Sequence, residues 1–396
     1  MEALRNKYLR LLNATNFDFK RYLYHQINWN DRLVIIKGQR GVGKTTLLLQ
    51  YIKNEIEDLS KALYLSLDDI YFTSNRLSEV VEDFVLNDGR FLFVDEVHRY
   101  PNWSIEIKNI YDFHPELKVV ATGSSAIAIQ EGEADLSRRA SVYHLQTLSL
   151  REYIMFSKGI DLSPIGLTDL IQNHEQVAIG INQAVRPIQL FKEFLKFGSY
   201  PFSNSEDPLY YDKLRTITNL IIDNDITAVE NITYETRIKI KKLLYLISTA
   251  VPFKPNISEL SQKVGTSRDV LLKHLHLLSR AGIINLLTQS GIGTSIMQKP
   301  EKIYINNPTL MYSLDERANK GTLRETFFMS QVSANNKLNY PKSGDFIVND
   351  KYLFEIGGKN KTSKQIAGTN NSFLAIDDIE YGLKTKIPLW LFGFLY

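Results

Sequence analysis

Gly38-Gln39-Arg40-Gly41-Val42-Gly43-Lys44-Thr45 decides how this chain is read. It fits the pattern G-x-x-x-x-G-K-[ST] without a mismatch. Arg32 to Lys37 before it reads as a buried β-strand, and Thr46 to Ile52 after it as a helix. Strand, glycine loop and helix in that order make a phosphate cradle. The glycines let backbone N–H groups close around an anion at a helix N-terminus, where the dipole favours negative charge. The phosphate-binding set is therefore Gly38, Gln39, Arg40, Gly41, Val42, Gly43, Lys44, Thr45 and Thr46. Lys44 is expected to reach the β/γ-phosphates of ATP, and the Thr45 hydroxyl to help hold Mg²⁺.

Outward from the loop the chain alternates strand and helix. Lys61 to Asp69 reads as a strand ending in two acids, and Leu77 to Leu86 as a helix. Phe91-Leu92-Phe93-Val94-Asp95-Glu96 puts two carboxylates behind an apolar run, as in a parallel strand buried on both faces. Asp95 is expected to support the metal shell with Thr45, and Glu96 to polarise the attacking water. His98 reads as a hydrogen-bonded structural histidine. Leu117 to Ser125 is a fourth strand, expected beside that of Asp95, with Thr122 and Ser124 placed to sense the γ-phosphate. Arg138 and Arg139 precede a fifth strand, Ser141 to Leu145. They read either as arginine fingers, which often act across a subunit boundary, or as salt-bridge partners at a helix end. Residues 1–30 read as a helix beside the first strand, with Phe17 among its aromatics and Arg21 on a solvated face.

The ordered set G-Q-R-G-V-G-K-T-T, F-L-F-V-D-E-V-H-R-Y-P-N-W, V-V-A-T-G-S-S-A, L-S-R-R-A and L-Q-T-L-S-L-R-E-Y-I resembles the bacterial and archaeal AAA-type P-loop ATPases that carry a C-terminal domain of unknown function. The family's P-L-S-F-x-E-Y segment appears as Thr147 to Tyr153, without the proline. Its G-G-F/Y-P turn looks like Phe197-Gly198-Ser199-Tyr200-Pro201, with Ser199 in place of a glycine. The resemblance implies nucleotide binding and ATP hydrolysis, and names no substrate. It also implies a helical lid over the nucleotide, for which residues 147–233 are suited. In that stretch Asn182 to Pro187 should break a helix, and Ile217 to Ile226 should form another. Asp223 and Asp225 read as solvated or capping groups.

Residues 234–314 have the pattern of a winged helix-turn-helix: a helix from Arg237, a second from Asn256, the turn at Gly265, a third from Arg268 to Ala281, then two strands, Ile283 to Leu287 and Lys302 to Ile305. Val270, Leu271, Leu275 and Leu278 should face inward. Ser267, Arg268, Lys273, His274 and His276 could then face a DNA major groove, with Arg280 on phosphate. Ten Lys/Arg stand against three acids between Tyr234 and Pro300, in a chain of net charge only +3. Such a local excess suits a polyanion, although a winged helix used for protein packing has the same pattern.

Residues 315–396 place Glu325 in a helix, Asp345 at the start of a strand and Glu355 at the end of the next. The order resembles the restriction-nuclease-like core, in which two carboxylates hold Mg²⁺ and a lysine activates water. Here Gly357 stands two residues after Glu355, and the nearest lysines are Lys359 and Lys361. A two-residue shift moves a side chain about 6.6 Å along a strand, so a catalytically quiet version of the fold is expected. Ile387 to Tyr396 should close it as a core strand.

The expected organisation is an α/β chain: a P-loop parallel-sheet ATPase core at 1–146, a lid at 147–233, a winged helix at 234–314 and a nuclease-like α/β domain at 315–396. The function that follows is Mg²⁺-dependent ATP hydrolysis whose nucleotide state moves a lid and winged-helix arm. The alternatives are an ATP-regulated DNA-binding switch and an ATP-gated, Mg²⁺-dependent nuclease. An arginine finger acting in trans would make the chain a homo-oligomer. With no cysteine, disulfide frameworks, thiolate metal sites and cysteine nucleophiles are excluded, and a reducing cytoplasm suits the chain. No apolar run is long enough to expect a membrane span.

Overall fold

The apolar runs next to the glycine loop become strands because both of their faces are covered. In the computed structural model, which describes residues 2–15, 18–124, 136, 138–227, 230, 232–249, 254–289 and 299–396, the chain divides into two units, Met1–Gln146 and Thr147–Tyr396. The first carries a parallel sheet of β1 (Leu33–Lys37), β2 (Ala62–Ser66), β3 (Phe91–Asp95), β4 (Lys118–Gly123) and β5 (Ser141–His144), in the order β2-β3-β4-β1-β5. Leu33 to Ile36 and Leu92 to Val94 are fully buried or nearly so. Its helices among the described residues include α1 (Glu2–Ala14), α2 (Lys44–Glu55), α3 (Leu77–Leu86) and α4 (Trp103–Phe113).

This order sets the site. β4 separates β1 from β3, with Thr122 opposite Ile36 of β1 and Ala121 opposite Val94 of β3. The tip of β4 therefore lies between the glycine loop after β1 and the two carboxylates after β3. Parallel sheets bind ligands at this carboxyl edge.

The N-terminal segment differs from the single helix expected. α1 stops at Ala14 and a separate 3-10 turn follows at Tyr22–His25. α1 also packs on edge strand β2, where Tyr8 stacks on Tyr64 at 6.2 Å and Lys7 pairs with Asp69 at 2.5 Å. Phe17, Ser125 and Ser137 lie outside the described residues.

The second unit opens with α5 (Leu150–Lys158), whose start is a reciprocal capping box between Ser149 and Glu152. α6 (Leu167–Ala184) ends just before Pro187, which opens α7 (Pro187–Phe197) at a position that needs no N–H donor. α8 (Tyr210–Leu220) passes into a π-helical turn at Ile221–Ile226, so the helix expected at 217–226 straddles two conformations. Asp223 pairs with Lys241 at 2.7 Å, and Asp225 is buried rather than solvated. Then come α9 (Tyr234–Thr249), α10 (Ile257–Val264), α11 (Arg268–Arg280) and an antiparallel hairpin of β6 (Ile284–Leu287) and β7 (Lys302–Ile305).

After α12 (Pro308–Leu314) and α13 (Lys320–Val332), a second sheet forms from β8 (Leu338–Asn339), β9 (Phe346–Val348), β10 (Tyr352–Gly357), β11 (Ser372–Ile376) and β12 (Lys386–Pro388). Its order is β12-β11-β10-β9-β8, with β10, β11 and β12 parallel. The closing segment is not the long strand expected. Pro388 has no N–H to continue the ladder, and the chain turns into a 3-10 helix at Leu389–Phe394 with every residue buried. One apolar core joins Phe191 and Phe194 of α7, Phe327 and Phe328 of α13, Tyr304 of β7, Phe354 of β10 and Phe392.

Candidate nucleotide site and a second carboxylate pocket

The glycine loop needs its glycines for separate reasons. Gly41 and Gly43 take φ of 80° and 96°, the left-handed region open to glycine. At Gly38 a Cβ would sit 2.5 Å from the Leu145 backbone oxygen. Val42 is fully buried and pins the loop to the core. The first hydrogen bond of α2 runs from Leu47 N to Gly43 O at 3.0 Å. The N–H groups of Gly43, Lys44, Thr45 and Thr46 therefore have no acceptor within the helix, as at any helix start. Lys44 Nζ donates to Gly38 O and Gln39 O, each at 2.9 Å, which folds the ammonium back over the loop.

Asp95 ends β3 almost wholly buried and meets four donors. Its Oδ2 accepts from Thr45 Oγ1 at 2.5 Å and from Tyr64 OH at 2.8 Å. Its Oδ1 accepts from Thr122 Oγ1 and from Glu96 N at 3.0 Å. Thr122 thus orients the carboxylate, and the hydroxyl beside Glu96 is that of Ser124, which donates to Glu96 Oε2 at 3.0 Å. The buried His98 stands behind it, Nε2 3.3 Å from Ser124 Oγ and Nδ1 3.3 Å from Glu96 Oε2. Glu96 itself has φ of 54°. A non-glycine residue held there is strained by about 1–3 kcal/mol, a cost that recurs at functional sites.

Two groups at this site escaped the sequence reading. Tyr64 faces Asp95 from β2; burial and then the Asp95 charge push its phenol far above the ordinary tyrosine range, so it stays a donor. The alternation of β2 could have placed it on that face. Arg21 is 3% exposed, not on a solvated face. Its guanidinium donates to Val42 O and, at 2.8 Å, to Gln146 O. No local pattern marks an arginine folded onto carbonyls 21 and 125 residues away. Arg21→Ala strands both carbonyls and should cost on the order of 2–4 kcal/mol. Urea unfolding checks this; a loss below about 1 kcal/mol would mean that water replaces the guanidinium.

Arg138 and Arg139 are not brought to the same place. Arg139 is committed within the chain, Nε and Nη2 each 2.9 Å from the Asp112 carboxylate. Arg138 is exposed.

On α10 and α11, Ser267 caps α11 by accepting from Val270 N, while Arg268 and Lys273 are exposed and Arg280 is half-buried. His274 does not face outward. It is 4% exposed and completes the inward i, i+3, i+4, i+7 stripe with Leu271, Leu275 and Leu278. Val270 lies off that stripe and is 39% exposed, contrary to expectation.

Glu325, Asp345 and Glu355 line one cavity of about 700 Å³ in the second unit. Lys302 of β7 reaches it as well, donating to Glu325 Oε2 at 2.7 Å and Asp345 Oδ1 at 3.0 Å. Tyr304 OH donates to the same Glu325 oxygen at 2.5 Å, and Ile356 N to Asp345 Oδ2 at 2.9 Å. After the Gly357–Gly358 bend Lys361 pairs with Glu355 Oε1. Gln365, its amide oriented by the same carboxylate, donates to both Glu355 oxygens at 2.6 and 3.0 Å. Burial pushes the Glu355 carboxyl up despite Lys361. Burial disfavours the Lys302 ammonium, but Glu325 and Asp345 outweigh it and hold the group above the ordinary lysine value. Among the described residues these three carboxylates do not gather into a group that could hold a metal ion.

Known proteins bear on the first unit most directly. Residues 30–154 match the family model described as an AAA domain. The match falls on the five-stranded parallel sheet and its glycine loop, and supports an AAA-type, nucleotide-binding domain there. An uncharacterized protein of Methanocaldococcus jannaschii is 27% identical over 420 residues, covering 95% of this chain and 88% of its own. Among solved structures, the Walker-type ATPase paby2304 of Pyrococcus abyssi superposes with a TM-score of 0.43 at 12% identity, over 75% of this chain and 95% of its own. AMPPCP-bound DnaA from Aquifex aeolicus gives 0.28 at 15%, over 65% and 84%. No described helix is long and apolar enough to cross a membrane.

Proposed function

We propose that the chain binds ATP with Mg²⁺ and hydrolyses it, and that nucleotide state is passed to residues 147–396. The observation that carries this reading is the convergence of Lys44, Thr45, Asp95 and Glu96 at one edge of the parallel sheet. Oxygen donors such as the Thr45 hydroxyl and Asp95 carboxylate suit Mg²⁺, which takes its other ligands from phosphates and water. The bound ATP supplies the phosphoanhydride bond that is broken. Gly38 to Thr46 wrap the phosphates, Lys44 neutralises charge on them, and the Asp95 carboxylate is oriented by its four donors. Glu96 receives the proton of the attacking water while Ser124 and His98 fix its carboxylate. Arg138, exposed, is the finger candidate that a second copy could use; Arg139 is engaged by Asp112. A coupled assay on the purified chain, with Mg²⁺ or with EDTA, tests the reading. Mg²⁺-dependent phosphate release supports it, and absence of turnover with undiminished ATP binding leaves a switch instead.

The division of the second unit into lid (147–233), winged helix (234–314) and nuclease-like domain (315–396) belongs to the same proposal. DNA binding is a second reading, favoured by the exposure of Arg268 and Lys273 at the start of α11. Three phosphate contacts from Arg268, Lys273 and Arg280 imply a loss of about 40-fold in affinity between about 50 and 200 mM salt. Fluorescence anisotropy on a labelled duplex reads this directly; flat salt dependence removes these residues from the interface.

A further inference from the structure

We propose that the pocket of Glu325, Asp345 and Glu355 takes no divalent cation because the chain supplies its own: the Lys302 ammonium stands between Glu325 and Asp345, where a metal would otherwise be shared. Three features hold it there. Lys302 lies on a hairpin strand paired with Leu287, so its backbone is fixed. Its side chain is 7% exposed, with the Tyr340 ring 5.9 Å from Nζ. Tyr304, two residues on and so on the same face, donates to the Glu325 oxygen that Lys302 already uses.

The third carboxylate is occupied separately, by Lys361 and Gln365. Among the described residues no three His, Asp or Glu side chains gather as a metal site. A divalent ion entering here would have to displace a buried ammonium and then lie beside it, a like-charge contact at low dielectric. Lys302 and Lys361 offset two of the three carboxylate charges from within, and the chemistry of the cluster differs from metal-assisted hydrolysis.

The test uses Mn²⁺ as probe on the full nucleotide-free chain, followed by electron paramagnetic resonance. The wild-type chain is expected to show no Mn²⁺ binding that depends on Glu325. Lys302→Met, which keeps length and removes charge, is expected to gain on the order of tenfold in Mn²⁺ affinity, and the gain should vanish in Lys302→Met/Glu325→Gln. Any ion held near Asp95 contributes equally to all variants and cancels. Failure of a folded Lys302→Met chain to gain Mn²⁺ overturns the inference. Two arms need no Lys302 variant, should that chain not fold. Wild-type Mn²⁺ binding lost in Glu325→Gln overturns it, as does Mg²⁺-dependent cleavage of a labelled duplex lost in Glu355→Gln. Absence of both in the wild-type chain supports it.

Discussion

Lys44→Ala is expected to lower ATP turnover on the order of 10²–10³-fold, the usual loss when one preorganised charge donor to a developing anion is removed. The ammonium serves the loop in two ways. Folded onto Gly38 O and Gln39 O, it ties two loop carbonyls together. Offered to the phosphates, it cancels charge that the backbone N–H dipoles cancel only in part. The fold should survive the substitution. The loop stays anchored by Val42, by Arg21 on the Val42 carbonyl and by the close fit of Gly38 under Leu145. The measurement is steady-state phosphate release together with thermal melting. Turnover kept within about threefold would show that charge at this loop is not limiting, and the assignment of the site would fall.

The two units differ in how much of this the residues announced. The first was legible because its chemistry is local. The loop, the β3 carboxylates and the β4 hydroxyls each lie at the end of a short apolar run, and the parallel sheet brings strand ends to one edge whatever the side chains are. What escaped was the support that crosses the unit: Tyr64 behind Asp95, whose face the alternation of β2 gives but whose partner it does not, and Arg21 under the loop, set by packing between segments with no shared pattern. In the second unit the same limit is more severe. Glu325, Asp345 and Glu355 could be picked out, and they do line one cavity. The residue that determines their chemistry, Lys302, comes from a hairpin strand where it reads as one more basic residue in a basic stretch. His274 was misplaced for the converse reason. A polar residue at an inward position of a helical stripe looks like surface until the neighbouring helix is seen to cover it.

Glu96→Gln is expected to separate binding from chemistry. The amide is nearly isosteric with the carboxylate, and its oxygen can still accept from Ser124 Oγ, so the strained backbone at Glu96 and the position of the side chain should persist. What the amide cannot do is take a proton. General-base assistance accounts for about 10²–10⁴-fold in rate, so kcat should fall by that factor while KM for ATP changes little. A fall in kcat/KM through KM alone would assign Glu96 to binding instead. Its neighbours supply the control. Ser124→Ala leaves the carboxylate its basicity but removes the hydroxyl that aims it, and should cost kcat less than Glu96→Gln does. If both substitutions lowered kcat equally, orientation rather than proton transfer would be the role of Glu96. The same variant distinguishes a motor from a switch. Should Glu96→Gln keep ATP bound and change DNA affinity as strongly as ATP itself does, the bound state, and not its turnover, is what the second unit reads.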